Sequence, residues 1–144
     1  MIHFKIVTPE RILLETEVDS VTLPTRLGEI TVLQNHIPLV ASLVAGEVRY
    51  RTHGQESFFA VSGGFIEVRK NHEVVVLADT AEFGHEIDEH RAEEARQKAQ
   101  EIMRGSYHDQ KSHATASAVL EKNLARLKVA RKHRSHAPRI DTNS

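Results

Sequence analysis

Ser57-Phe58-Phe59-Ala60-Val61-Ser62-Gly63-Gly64-Phe65-Ile66-Glu67-Val68-Arg69 sets two runs of aromatic and β-branched residues on either side of a glycine pair. Each run mixes apolar with polar residues, as strands with one face in a core do. Gly-Gly between two strands predicts a hairpin whose turn needs positive φ. A glycine-rich segment that opened a helix after a strand would cradle a phosphate; here a strand follows, so the pair shapes a sheet. The next run, Glu73-Val74-Val75-Val76-Leu77-Ala78, is a stronger strand still.

Outward toward the N-terminus the pattern stays β from Met1 to about Asp79. Ile2, Phe4 and Ile6 alternate with His3, Lys5 and Val7, and Thr8-Pro9-Glu10-Arg11 turns the chain into Ile12-Leu13-Leu14. Residues 17–23 alternate as one further strand, ended by Pro24. Residues 28–33, 39–44 and 47–52 add more, with Gln34-Asn35-His36 and Pro38 between the first two. Many short strands with turn residues between them and no helical period predict an N-terminal flattened β-sandwich or barrel over residues 1–83.

At Ala81 the pattern changes. Asp88 suits an N-cap and Glu89 the first turn of a helix, where a carboxylate meets the positive end of the macrodipole. Ala92, Ala95, Ala99, Ile102 and Met103 then share one helical face. Gly105-Ser106-Tyr107-His108-Asp109 breaks the helix, and a second begins near Ser112 with Ala116, Leu120, Leu124, Leu127 and Ala130 as its stripe. Residues 84–134 therefore read as an antiparallel two-helix hairpin, and 135–144, with Pro138 and no periodicity, as a disordered tail. Both stripes are narrow and largely alanine, so the hairpin is expected to hold weakly to the sheet domain and to transfer to a partner. Arg126, Lys128, Arg131, Lys132 and Arg134 crowd the second helix, and Glu121 is the only acid between Ser112 and Ser135. Cations favour a helix C-terminus by themselves, and they equally suit an acidic partner surface.

Composition removes several classes of function. A net charge of -1 over 144 residues, with 5% aromatic residues and no tryptophan, supplies neither the field nor the stacking platform of a nucleic-acid binder. The absence of cysteine excludes disulfides and thiolate metal sites and is compatible with a reducing compartment. No apolar run is long enough to span a bilayer, and the N-terminus lacks a secretory apolar core. Among ten histidines, His85 and His90 lie five apart rather than four, which turns them away from each other on a helix. His108, His113, His133 and His136 read as solvated. Ser62, beside Gly63, lies between two strands rather than at the strand-to-helix turn of a nucleophile. No catalytic residue and no metal site emerge.

Val61-Ser62-Gly63-Gly64-Phe65-Ile66-Glu67-Val68, Val75-Val76-Leu77-Ala78-Asp79-Thr80-Ala81 and Ile87-Asp88-Glu89-His90-Arg91-Ala92 resemble the epsilon subunit of bacterial F-type ATP synthase. So do Gly28-Glu29, His36-Ile37-Pro38-Leu39 and Leu127-Lys128-Val129-Ala130, in the same order over nearly the whole chain. The resemblance implies a non-catalytic rotor subunit of the central stalk. In the family the sandwich binds the gamma subunit and sits on the membrane c-ring. The hairpin extends along gamma into the alpha/beta catalytic head and blocks ATP hydrolysis, or folds down and permits turnover. The resemblance further implies a proton-translocating complex, peripheral attachment on the cytoplasmic side of the inner membrane without direct membrane insertion, and no required cofactor.

The implied site residues fall into three sets. A loop holding Gly28, Glu29 and His36 matches the ring-facing loop, and Arg126, Lys128, Arg131 and Lys132 are the cations expected to meet the catalytic head. The Ile-Asp-x-x-Arg-Ala motif, here Ile87, Asp88, Arg91 and Ala92, matches the ATP-binding motif of some members, as do Glu82 and Arg126, which implies ATP as a regulatory ligand. Guanidinium groups hold phosphates bidentately. A partner position that is arginine in strong binders is Lys122, which lacks the fork, and a further basic position falls near Lys98. Without any ligand, Asp88 as an N-cap and Arg91 as an ordinary first-turn residue account for the same motif. The family commonly continues after Gly-Glu with a glycine and then Pro-Gly before the histidine; here Ile30-Thr31-Val32-Leu33-Gln34-Asn35 intervenes, and Asn35 can adopt the left-handed conformation that glycine would have supplied. The competing reading is a stand-alone β-sandwich adaptor that recruits an acidic partner through its basic helix.

Overall fold

The computed structural model describes residues 1–106 and 108–136, the side chain of His136 excepted. Its strands are β1 (Ile2–Val7), β2 (Ile12–Val18), β3 (Ser20–Thr25), β4 (Gly28–Leu33), β5 (Leu39–Leu43), β6 (Gly46–Thr52), β7 (Gln55–Val61), β8 (Gly64–Arg69), β9 (Glu73–Ala78) and β10 (Ala81–Phe83). They run in the order β10-β7-β6-β3-β5-β8-β9-β1-β2, with β4 beside β3. β3 meets β5 only through Thr25 and Leu43, and there the sheet folds over into a nearly closed sandwich. Phe4, Ile6, Val21, Leu23, Val48, Phe59, Ile66 and Val76 fill the space between the layers and are fully buried.

The glycine pair is not the turn of a two-stranded hairpin. β7 pairs with β10 and β8 with β9, so β7-β8 and β9-β10 form one long bent hairpin whose turn is residues 70–72. At Gly63-Gly64 both arms cross together from one layer to the other. The Ser62 N–H donates to the Thr80 carbonyl at 3.1 Å and the Asp79 N–H to the Gly63 carbonyl at 2.9 Å, keeping the arms joined through the bend. Positive φ is present as expected, +133° at Gly63 and +137° at Gly64. Its use is close approach: a Cβ on Gly64 would overlap the carbonyl oxygen of Leu77.

Residues 17–23, expected as one strand, form parts of two, β2 and β3. Asp19 turns the corner between them, its N–H donating to the Arg51 carbonyl at 2.7 Å and its carboxylate accepting the His53 N–H at 2.9 Å. β10 completes the sheet beyond the expected end of the β pattern.

After a 3-10 turn at Gly84–Glu86 come α1 (Glu89–Gly105) and α2 (Gln110–His136). Asp88 caps α1 as expected, accepting the Arg91 N–H at 3.1 Å. The break between the helices is narrower than expected. α1 includes Gly105, and Asp109 accepts the Lys111 and Ser112 N–H groups at 3.2 Å, so α2 begins at Gln110. Ser135 and His136 remain helical, while residues 137–144, the rest of the expected tail, lie outside the described residues. Ala92, Ala99, Ala116, Leu127 and Ala130 are buried, but so are Asn123, Ala125 and Val129, while Leu124 and Ile102 are exposed. The reason is that α2 touches two neighbours, α1 and the sandwich, so its buried surface is wider than one stripe and turned away from Leu124.

Candidate functional site: the seam between helix and sandwich

Glu47 on β6, Ala60 on β7 and Glu82 on β10 stand in register, so that two carboxylates flank one apolar strand on the outer face of the sandwich. α2 lies over this row. Val129 and Ala130 pack on Phe58, Ala60 and Ile87, and complete burial of a valine is worth about 1.5–3 kcal/mol. At one edge the Arg126 Nε lies 2.8 Å from the Glu82 Oε1, off the line of a hydrogen bond, while its Nη2 donates to Oε2 at 3.3 Å. Arg126 Nη1 also donates to the Asn123 side-chain oxygen at 2.9 Å. At the other edge Lys132 Nζ donates to the Glu47 Oε1 at 2.8 Å and stands 5.3 Å from the Phe58 ring centroid. Lys128 Nζ is 3.7 Å from the second oxygen of Glu47, which accepts no hydrogen bond although the side chain is only 5% exposed. Gly84 lets α2 come this close: a Cβ there would lie 2.5 Å from the Cβ of His133.

Three of the four cations expected to reach a partner, Arg126, Lys128 and Lys132, thus face carboxylates of the same chain; Arg131 is exposed. Sequence reading missed Glu47, Asn123 and Phe58 as parts of this seam. One signal was available: Phe58-Phe59-Ala60-Val61 is apolar at consecutive positions, the pattern of a strand covered on both faces, and all four residues are buried.

Of the nucleotide set, the structure joins Glu82 to Arg126 across the seam. Lys122 is half-buried one turn before Arg126 on α2. Asp88 is committed to capping, Ala92 is fully buried, and Arg91 is exposed on the first turn of α1.

The ring-facing set is not one loop. Gly28 and Glu29 open β4, and His36 follows its far end, so a strand of about 20 Å separates them. Glu29 pairs with Arg49 at 2.8 Å, and the neighbouring Leu27, at the tip of the β3–β4 turn, is 99% exposed. Asn35 does take the left-handed conformation, with φ +70°. The His36 ring Nδ1 lies 2.7 Å from the Ile37 carbonyl.

On the other layer Phe65 stands between Ser42 and Leu77 in register, and Val40, Phe65 and Leu77 are 72%, 59% and 47% exposed. This apolar face has no cover among the described residues, unlike the face under α2. Among the described residues no group of three or more His, Asp or Glu side chains is placed to hold a metal, and no helix is long and apolar enough to cross a membrane.

Residues 1–84 match the family model described as ATP synthase, Delta/Epsilon chain, beta-sandwich domain, and residues 85–131 the one described as ATP synthase, Delta/Epsilon chain, long alpha-helix domain. The chain is 44% identical over 135 residues to the ATP synthase epsilon chain of Chloroflexus aggregans, an alignment spanning 92% of this chain and 94% of that one. It is 42% identical over 134 residues to the ATP synthase epsilon chain of Herpetosiphon aurantiacus, spanning 93% and 97%. A chain in the cryo-EM structure of the Euglena gracilis mitochondrial ATP synthase, OSCP/F1/c-ring, shares the fold with a TM-score of 0.78 at 24% identity, over 90% of this chain and 80% of that one. One in the Tetrahymena thermophila mitochondrial ATP synthase central stalk and c-ring aligns with a TM-score of 0.55 at 10% identity, over 91% and 94%. The chain belongs to the delta/epsilon family of ATP synthase subunits, as a non-catalytic epsilon chain.

Proposed function

We propose that this chain is a central-stalk subunit of a rotary, proton-translocating ATP synthase, that its sandwich links the c-ring and gamma subunit to the alpha/beta head, and that its helical hairpin brakes ATP hydrolysis. One observation carries the brake: the cations of α2 that would meet an acidic surface of the head are held by Glu47 and Glu82 of the sandwich. Docking on the sandwich and reaching the head therefore compete for the same side chains, which makes a two-state element. The docked arrangement is the permissive state.

The uncovered face of Val40, Phe65 and Leu77 suits the gamma subunit, since an apolar patch of this kind marks a protein contact. The tip carrying Leu27, Gly28 and Glu29 suits the ring, which leaves His36, at the other end of β4, to the gamma side. The complex holds the chain peripherally at the cytoplasmic face of the inner membrane.

ATP acts as a regulatory ligand by replacing Glu82 as the anion on Arg126, with Arg91 and Lys122 contributing charge. An Arg126→Ala chain that binds ATP as tightly as the unaltered one would remove this part of the proposal.

The test is ATP hydrolysis by membranes carrying a tagged full-length chain or one ending at Phe83, which keeps every strand. Hydrolysis is expected to rise on truncation with the complex intact. No rise would leave a coupling subunit whose helices have another use, and absence of a rotary ATPase among the co-purifying proteins would remove the rotor role altogether.

A further inference from the structure

Asn123 is 3% exposed on a helix whose other buried side chains are those of Ala116, Ala125, Leu127, Val129 and Ala130. An amide there needs a reason. Asparagine is a poorer helix former than alanine or leucine, and a buried amide without partners is destabilising.

Both ends of this amide are used. Its Nδ2 donates to the Val119 carbonyl at 2.8 Å, and its Oδ1 accepts from the Arg126 Nη1 at 2.9 Å. A carbonyl on one side and a guanidinium on the other admit only one orientation of the amide. The Val119 carbonyl belongs to helix backbone, so it fixes the amide plane and turns Oδ1 toward Arg126. Around α2, Asn123 stands about 60° from Arg126 at the seam and about 40° from Leu127, which borders Glu93 and Arg96 of α1. It thus supports Arg126 from the flank away from the sandwich.

The contact of Arg126 with Glu82 is imperfect by itself. Its Nη2 donates at 3.3 Å, and its Nε lies off the hydrogen-bond line. An unsupported arginine also samples many rotamers and loses that freedom on docking.

We propose that Asn123 is a positioning residue of the seam: it holds the Arg126 guanidinium ready for Glu82, and so raises the share of chains in which α2 is docked. Both partners lie on α2, three residues apart, so the hold persists when the helix leaves the sandwich and less freedom is lost on return. The role rests on the hairpin being a two-state element, docked or released.

Amide exchange of the full chain at low salt tests it in three variants. Asn123→Leu keeps the volume and removes the amide, Arg126→Met keeps the stem and removes the guanidinium, and the third carries both. Protection of β1 and β9 reports that the sandwich is folded. Asn123→Leu is expected to speed exchange in α2 about three- to tenfold, and to add nothing in the Arg126→Met background. Leucine is the better helix former, so helix propensity cannot produce that acceleration. Asn123→Leu should also lower the salt dependence of α2 exchange to that of Arg126→Met, which lost packing alone would not do. Equal acceleration in both backgrounds, or none in either, overturns the role; if Arg126→Met still speeds exchange, the docked and released states stand. No effect of Arg126→Met overturns the role and the docking at this edge together.

Discussion

Gly64 sits where the bent arm of β8 touches the backbone of Leu77, at a φ that a side chain disfavours. Both penalties fall on a fully packed corner, so Gly64→Ala is expected to destabilise the chain by about 2–4 kcal/mol in urea unfolding. A loss below about 0.5 kcal/mol would mean that the corner relaxes freely. His3 illustrates a weaker, titratable contact on the same sandwich. Its ring nitrogens lie 3.0 Å from Glu17 and 2.8 Å from Glu15, and these hydrogen bonds, Glu17 first, raise its pKa above the ordinary value. A folded-state pKa above the unfolded one stabilises below the unfolded value, and the contribution disappears as pH rises through the folded value. His3→Gln should therefore lower Tm at about pH 5.5 and leave it nearly unchanged at about pH 8.5, by a small amount because the group is solvated. A difference independent of pH would show that the charge of His3 does not contribute.

Two helices hold together by alanine contacts and hold to the sandwich by one helix. Buried Ala92, Ala99 and Ala116 allow close helix approach, as their sequence spacing predicts, and Asp109 starts α2 with its capping carboxylate. Asp109 is held below the usual carboxylate range by Ser112, so this cap is present at neutral pH and is lost as pH falls through the lowered value. The seam itself depends on Gly84. Placing a methyl 2.5 Å from the His133 Cβ forces α2 outward without touching the sandwich core. Gly84→Ala is expected to leave the unfolding of the sandwich unchanged and to speed amide exchange in α2 about tenfold or more, since overpacking costs about 1–3 kcal/mol. Equal protection of α2 in both chains would show that the seam is not close-packed there.

For the molecule as a whole, the balance between docked and released hairpin is partly electrostatic. The apolar strip under α2 is one strand wide, and ion pairs to Glu82 and Glu47 border it on each side. Raising salt from about 50 to about 500 mM shortens the screening length from roughly 14 to roughly 4 Å and should speed α2 exchange while β1 and β9 stay protected. Glu47→Gln should remove part of that salt dependence. Salt-independent exchange of α2 would place the docking energy in Val129 and Ala130 alone.

Sequence by itself determined the β-then-α order, the position of nearly every strand, both helices and the cap at Asp88, because alternation, turn residues and capping act over a few neighbours. It also carried the family, through motifs spread along the chain in order. Tertiary structure alone decided which strands pair, and so turned the glycine pair from a hairpin turn into a corner. It set Gly28 and Glu29 a full strand away from His36. It also assigned the cations of α2, since Arg126 meets Glu82 across 44 residues and Lys132 meets Glu47 across 85. Charge in a sequence shows that a cation needs an anion; only the register of β6, β7 and β10 under α2 places two carboxylates of the same chain within its reach.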